Sequence, residues 1–503
     1  MARDLRDFLK LLEERGQLRR IAAPVNPHLE LAEIADRLLQ AGGPALLFEN
    51  VQGHEMPVAI NLLGTVDRVC WALGRETPAQ LEALGEELSL LYQLRPPKAK
   101  EEAIALGKAL WNVVKAVPRP ALFPPCQEVV HQGDAVDLTQ LPLLQVYPKD
   151  AGKVITLGLT ITKDCENGKV NVGVYRLQLQ SRNTMSVQWL SVRGATRHLR
   201  KAQAQAKPLE VAIALGVDPL LILAAATPLP VDLSEWLFAG IYGGEGVALT
   251  KCKTLDLAVP AHSEMVLEGT IDPEAIATDG PAGDHMGFYG PANPKAPLVK
   301  FHCVTHRRNP IYLTTFSGRP PKEDAMMALA LNRIYAPILR KQVPEIHDFF
   351  LPMEGLSYKV AVLAIEKTYP GQARRAALAF WTALPQFTYT KFIVVVDKTI
   401  DIRNPRRVMW AIAANVDPAR DVFVLPQTPF DRLDFATAVP GLGGRMGIDA
   451  TQKIYPESDR PWSEPLTADP DTAALVDSRW AEYGLEDLPL TEAAPHLFGY
   501  HLS

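Results

Sequence analysis

The chain has 503 residues, 47% of them hydrophobic, and its 52 Lys and Arg stand against 57 Asp and Glu for a net charge of -5. That length suits roughly three domains with sizeable cores, and a mildly acidic chain with no basic tract argues against a nucleic-acid-binding protein. Five scattered cysteines (Cys70, Cys126, Cys165, Cys252, Cys303), never spaced C-x-x-C, read as reduced thiols rather than a disulfide frame or zinc knuckle.

The N-terminus, MARDLRDFLKLLEERG, lacks an apolar leader, and the most apolar run, PLLILAAATPLP, is cut by prolines. A cytoplasmic protein is expected, with peripheral membrane contact left open. Leu5, Phe8, Leu9 and Leu12 recur at helical spacing before Gly16; Asn26-Pro27 reads as a second helix start and Thr77-Pro78 with Gln80 as a third. With the apolar runs PALLFENV and PVAINLL, residues 1–120 read as an N-terminal α/β unit. The proline-rich VPRPALFPPCQ reads as a linker.

Residues 126–318 change texture. VITLGLTITKD, NVGVYRLQLQ, TMSVQWLSV, LEVAIALGV, EMVLEGTI, LVKFHCVTHR and PIYLTTFSG read as strands, with a helix over residues 194–206, which predicts a β-barrel or sandwich. Residues 322–342 predict a long connecting helix, kinked or interrupted at Pro337. Beyond it, YKVAVLAIE, GQARRAALAFWTAL, KFIVVVD, NPRRVMWAIAANV and DVFVL alternate strand and helix, so residues 343–503 predict an α/β domain with a mainly parallel sheet and a polar, proline-rich tail.

Within NVGVYRLQLQ, Asn171 and Arg176 interrupt an apolar strand, and on a regular strand their odd separation puts them on opposite faces. Gly173 could mark a bulge or a close approach that turns both to one place; a wetted sheet edge is the alternative. The glycine- and proline-rich TDGPAGDHMGFYGP carries Asp279 and Asp284, which burial would tune into a general acid, although solvated turn aspartates explain them too. Glu235 precedes the apolar WLFAG and reads equally as a solvated glutamate at a helix start. GLGGRMG has Met446 where a dinucleotide fingerprint needs glycine, GGEG lacks the rest of a P-loop, and His302 and His306 on a strand would stand about 13 Å apart, too far for one metal.

NVGVYR, LSEWLFAG, GPAGDHMGFY, SGRPP, TYTKFIVVVD, DPARD and GLGGRMGIDAT, in this order over most of the chain, resemble the UbiD family of decarboxylases, and in particular those acting on 4-hydroxy-3-polyprenylbenzoate in quinone biosynthesis. The resemblance implies a central split β-barrel like that of flavin reductases, a C-terminal oligomerisation domain forming a dimer or hexamer, prenylated FMN supplied by a flavin prenyltransferase, Mn²⁺ or Mg²⁺ beside its phosphate, and K⁺. It implies Asn171 and Glu235 as metal ligands. Val174, Tyr175, Arg176, Gln188, Trp189, Leu190, Arg193, Gly194 and Lys391 would hold the flavin, an ordinary strand-edge lysine being the other reading of Lys391. Arg176 would take the substrate carboxylate, with Asp279 and Asp284 as the remaining catalytic groups and Asp284 as proton donor. Two departures from the family pattern are Asp279 in place of the commoner glutamate and Val192 where relatives carry histidine. The same chemistry on another aromatic or α,β-unsaturated acid, or a flavin-binding assembly protein without turnover, are the competing readings.

Overall fold

A computed structural model describes residues 4–92, 100–189, 194–227, 234–464, 466 and 468–486. The chain divides into two units: residues 1–341 with 352–358 and 431–436, and residues 342–351 with 359–430 and 437–503.

In the first unit, helix Leu5–Glu14 starts on Asp4, whose side chain accepts from the Asp7 amide, and buries Leu5, Phe8, Leu9 and Leu12 as their spacing requires. The second helix starts later than its sequence signal suggests, at Glu30, because the Asn26 side chain turns back to accept from the His28 amide. The helix expected third runs Pro78–Tyr92 and is in fact the fourth, after Val66–Ala72, with Gln80 accepting from the Glu76 amide at 2.6 Å. Strands Leu18–Ile21, Ala45–Phe48, Val58–Ile60 and Tyr312–Leu313 form one sheet in that order. Tyr312–Leu313, expected among the central strands, instead pairs parallel with Val58–Ile60. The long helix Glu323–Gln342 continues through Pro337 without interruption.

The central β-rich domain is a nine-stranded sheet whose pairs are all antiparallel. Its path runs Val154–Ile155, Leu177–Ser181, Thr184–Val187, Asn293–His306, Met265–Asp279, Leu209–Leu215, Leu159–Lys163, Val170–Val174, with Val129–Gln132 added beside Asn293–His306. Val170–Val174 ends the path and Leu177–Ser181 stands second from its start, yet only Tyr175 and Arg176 separate them in sequence. Six flat strand spacings would be about 29 Å. Three residue steps reach about 11 Å. The sheet therefore curls until its ends approach, and the open seam falls at Tyr175 and Arg176. Its interior is filled by Ile155, Leu177, Met185, Val211, Ile213, Leu267, Val299 and Phe301. Besides helix Gly194–Ala204, the domain contains Pro219–Ala226, capped by Asp218, and Glu235–Gly243, neither signalled by amphipathic spacing because both are apolar nearly all round.

The second unit holds five strands in the order Ile346–Phe350, Val360–Ile365, Phe392–Asp397, Leu442–Asp449, Val422–Pro429. Only the two central pairings are parallel. The expected mainly parallel sheet is thus mixed, because no helical crossover separates Val422–Pro429 from Leu442–Asp449. The glycine-rich residues 442–449 are strand, which removes the dinucleotide reading. Asn404 caps helix Pro405–Asn415 as its sequence predicts. Among the described residues, no helix is long and apolar enough to cross a membrane, and all five cysteines are free thiols.

Candidate active site

The stretch read as one strand from residue 169 to 180 is two strands with different partners, so the opposite-face argument for Asn171 and Arg176 falls. Val170–Val174 pairs with Leu159–Lys163, and Leu177–Ser181 pairs with Val154–Ile155 and Thr184–Val187. Gly173 does permit a close approach, that of the Tyr175 ring folding back: a Cβ there would come within 2.7 Å of it. Tyr175 then meets the Trp189 ring, their centroids 5.9 Å apart.

At the seam, Val174, Tyr175 and Arg176 line a cavity of about 220 Å³ with Val146, Tyr147, Val154, Thr156, Ala282, Gly283, Thr315 and Phe316. The Arg176 guanidinium donates to Oδ1 of Asp279. Asp279 is 1% exposed, which removes the solvated-turn reading for it. Its other oxygen accepts from Ser186 Oγ at 2.7 Å, and Gln178 accepts from the next amide, Gly280, at 2.8 Å. The pair therefore carries opposite charges in a nearly dry setting, where direction is held firmly.

Asp284 is placed differently. Asp150 ties the loop down, accepting from the Gly283 amide at 2.8 Å with one oxygen and from the Tyr147 amide at 2.8 Å with the other. Oδ1 of Asp284 accepts from the Met286 amide at 2.8 Å, an Asx turn, while Oδ2 is buried without a partner. Burial pushes this carboxyl above the usual carboxylate range, against the opposing pull of two amides and of His285.

The two residues expected as metal ligands lie on neighbouring elements. Glu235 opens helix Glu235–Gly243, and its carboxyl accepts from the Val172 amide, next to Asn171. Burial pushes it up to about 7, so the solvated-glutamate reading fails. Gly194 fits tightly against Asn171, whose Oδ1 would lie 1.8 Å from a Cβ at that position. A neutral amide oxygen and a buried carboxylate are hard donors that suit Mn²⁺ or Mg²⁺, and a cation there would restore the charge that burial disfavours. Among the described residues no cluster of three or more His, Cys, Asp or Glu side chains converges, so an ion here would need ligand or water oxygens to complete its shell.

For a flavin, the buried and unpartnered Nε of Arg176 and Nε1 of Trp189 are donors awaiting an acceptor, and the Tyr175 and Trp189 rings supply flat apolar surface. The Gln188 amide donates to the Arg176 carbonyl at 3.2 Å, which aligns this wall. Leu190, Val192 and Arg193 lie outside the described residues. Lys391 lies in the second unit at the head of strand Phe392–Asp397, its amide donating to the Lys359 carbonyl at 2.8 Å.

Ser186, Tyr147, Thr156 and Phe316 join the site without having been singled out in the sequence. Ser186 had one available signal, a hydroxyl between the apolar Met185 and Val187.

Family models for the 3-octaprenyl-4-hydroxybenzoate carboxy-lyase match the chain in three parts: the N-terminal domain over residues 9–88, the Rift-related domain over 120–320 and the C-terminal domain over 325–450. The uncharacterized protein sll0936 of Synechocystis sp. (strain ATCC 27184 / PCC 6803 / Kazusa) is 68% identical over 99% of this chain and 100% of its own length. Among solved structures, the vanillic acid decarboxylase of Sedimentibacter hydroxybenzoicus in closed form is 29% identical, covering 96% of this chain and 99% of that one, with a TM-score of 0.83. The UbiD-class enzyme HmfF of Pelotomaculum thermopropionicum in complex with FMN is 30% identical over 94% of this chain and 99% of that one, with a TM-score of 0.76. An evolved dimeric HmfF in complex with prenylated FMN scores 0.74 at 29% identity, covering 94% of this chain and 98% of that one.

Proposed function

Starting from a chain that belongs to the UbiD family and is a prenylated-FMN-dependent decarboxylase of that class, we propose that it decarboxylates a 4-hydroxy-3-polyprenylbenzoate to a 2-polyprenylphenol in quinone biosynthesis. The observation that carries the reading is Arg176, held by the buried Asp279 on the wall of a cavity that is also lined by Ala282 and Gly283, the two residues before Asp284 and its unpartnered oxygen in the same loop. The polyprenylated substrate is supported by the description of the matching family. A second reading, a smaller hydroxybenzoate, is favoured by the cavity of about 220 Å³, which suits a substituted ring better than a long tail, and by the likeness to a vanillic acid decarboxylase.

In either case the chain's groups divide the work. Arg176 receives the substrate carboxylate on its planar fork and so fixes the ring's orientation. Asp279 and Ser186 keep the guanidinium aimed. Losing CO₂ leaves electron density on a ring carbon that no side chain can absorb; prenylated FMN, when bound, supplies the sink. Asp284, whose carboxyl desolvation pushes above the usual carboxylate range, gives its proton to that carbon. Asn171 and Glu235 would hold a divalent ion, which would supply positive charge beside the cofactor, and Val174, Tyr175, Gln188, Trp189 and Gly194 would surround the flavin. We take the working form to be a homo-oligomer loaded by a flavin prenyltransferase.

The test is CO₂ release by protein co-produced with a flavin prenyltransferase, across 4-hydroxybenzoate, vanillate, cinnamate and 3-prenylated 4-hydroxybenzoates of rising tail length. Preference for the prenylated acids is expected. Turnover of vanillate alone would move the assignment to the second reading, and CO₂ release from cofactor-free protein would refute the mechanism.

A further inference from the structure

Gly283 stands immediately before Asp284, and Gly318 lies in the string SGRPP. Neither has the positive φ that would call for glycine on conformational grounds. Space explains both, and one ring takes it. A Cβ on Gly283 would lie 2.3 Å from Cδ2 of Tyr147, and a Cβ on Gly318 would lie 2.3 Å from the Tyr147 hydroxyl oxygen. A side chain at either position would have to displace that ring.

Tyr147 is held at both ends. Its hydroxyl donates to the Ser317 carbonyl at 2.8 Å, and burial pushes the phenol well above its ordinary value, so it keeps that proton. Its amide and that of Gly283 donate to the two oxygens of one carboxylate, Asp150, each at 2.8 Å. The Ala151 amide donates to the Pro281 carbonyl at 2.8 Å, and the Tyr289 ring stands edge-on to Tyr147 with centroids 6.2 Å apart. Ala282 pairs with Gly290 and Gly283 with Tyr289. The turn they enclose begins with Asp284, whose amide donates to the Phe288 carbonyl at 3.0 Å. Asp284 is therefore carried on a short ladder that rests on the Tyr147 ring. The same ring meets Gly318 on another wall, so it spans two sides of the cavity that Arg176 also lines.

We propose that Tyr147 is a positioning residue for the reaction: its ring sets where the Asp284 turn stands relative to Arg176, and so brings the acid into register with a substrate whose carboxylate Arg176 holds. This rests on reading Asp284 as the proton donor. The ring is a spacer and transfers no proton. Without it the turn sinks toward the vacated space beside Gly318, while Arg176, held separately by Asp279, keeps its place.

The test uses cofactor-loaded protein, with rates taken per bound flavin and with whichever of 4-hydroxybenzoate, vanillate or a 3-prenylated 4-hydroxybenzoate the wild type turns over fastest. In Tyr147→Leu, kcat for CO₂ release and exchange of the product's ring hydrogen fall about 10²-fold, the worth of roughly 1 Å of misplacement, while KM and flavin content stay at wild-type values. Tyr147→Phe keeps the spacer and loses only the donor to Ser317, so most of the rate returns. The decisive measurement is ring-hydrogen exchange for Tyr147→Leu in an Asp284→Asn background. A residue that acts through Asp284 adds no further loss there, whereas a merely structural one costs the same factor in both backgrounds. Should Tyr147→Leu fail to fold, Gly283→Ala carries the test, because its methyl must push the ring aside and gives a loss of the same order with KM unchanged. A wild-type kcat in the variant that carries the test, a loss confined to KM, or an equal loss in the Asp284→Asn background would overturn the proposal. Wild-type exchange in Asp284→Asn alone would instead overturn the reading of Asp284 itself, so the two failures are distinct.

Discussion

Asp279 and Asp284 stand five residues apart in one stretch and meet opposite surroundings. Asp279 has both oxygens engaged, by Arg176 and Ser186, and sits almost wholly out of water. Asp284 has one oxygen tied to an amide and the other left alone in a buried place. The first arrangement fixes a charge, and the second favours a neutral acid with a proton to give. Identical side chains are set apart by their neighbours alone, one as a strut and the other, on our proposal, as a proton donor.

The sharpest way to break this contrast is Asp284→Asn, which keeps shape and removes the transferable proton. Turnover and exchange of the product's ring hydrogen with solvent deuterium should both fall about 10²–10⁴-fold. Stability should move the other way. Because the folded pKa of Asp284 is raised, its contribution is fully present below the unfolded value and is lost as pH rises through the folded value. The Asn variant has no such loss, so at pH 8 its unfolding midpoint should equal or exceed that of wild type, and the advantage should vanish at acid pH. A lower midpoint at pH 8 would mean that Asp284 is ionised and paired.

A third carboxyl, Glu235, is raised by burial like Asp284 but on our reading serves as a fixed charge like Asp279, once a cation sits beside it. Gly194→Ala tests this from outside, because the new methyl must displace the Asn171 amide. Metal and flavin retention, measured by elemental analysis and absorbance after gel filtration, should weaken about 10–100-fold. Unchanged retention would remove Asn171 from the metal site. The smallest effect belongs to Asp279→Asn, which leaves hydrogen-bonding groups but no charge opposite Arg176. A loss of about 1–3 kcal/mol in denaturant unfolding is expected, with ring-hydrogen exchange reduced less than in Asp284→Asn.

Much of this site could be read from the chain because its residues lie in short contiguous motifs. Asn171, Arg176, Glu235, Asp279 and Asp284 each stand within a recognisable string, and helices such as Leu5–Glu14 announce themselves by spacing. Pairing was less accessible. Periodicity says that a segment is extended but not which partner it takes, so NVGVYRLQLQ reads as one strand where Tyr175 and Arg176 separate two, and Tyr312–Leu313 reads as central where it completes the N-terminal sheet. Tyr147 carried no local signal at all, since its meaning lies in meeting Gly283 and Gly318 across the fold.

The seam at Tyr175 and Arg176 also bears on the order in which the protein assembles. Its two flanking strands are sequence neighbours, but each is secured by a different end of the sheet. Pairings such as that of Met265–Asp279 with Asn293–His306 close short loops and can form early, whereas bringing Val170–Val174 against Leu159–Lys163 and Leu177–Ser181 against Thr184–Val187 fixes no catalytic geometry until the intervening long-range partners have docked. Arg176 thus reaches its working position only when both ends are in place. Cofactor capture would then be a late event in refolding, lagging the recovery of β-structure, and a partly folded chain would hold most of its secondary structure while remaining unable to take up flavin.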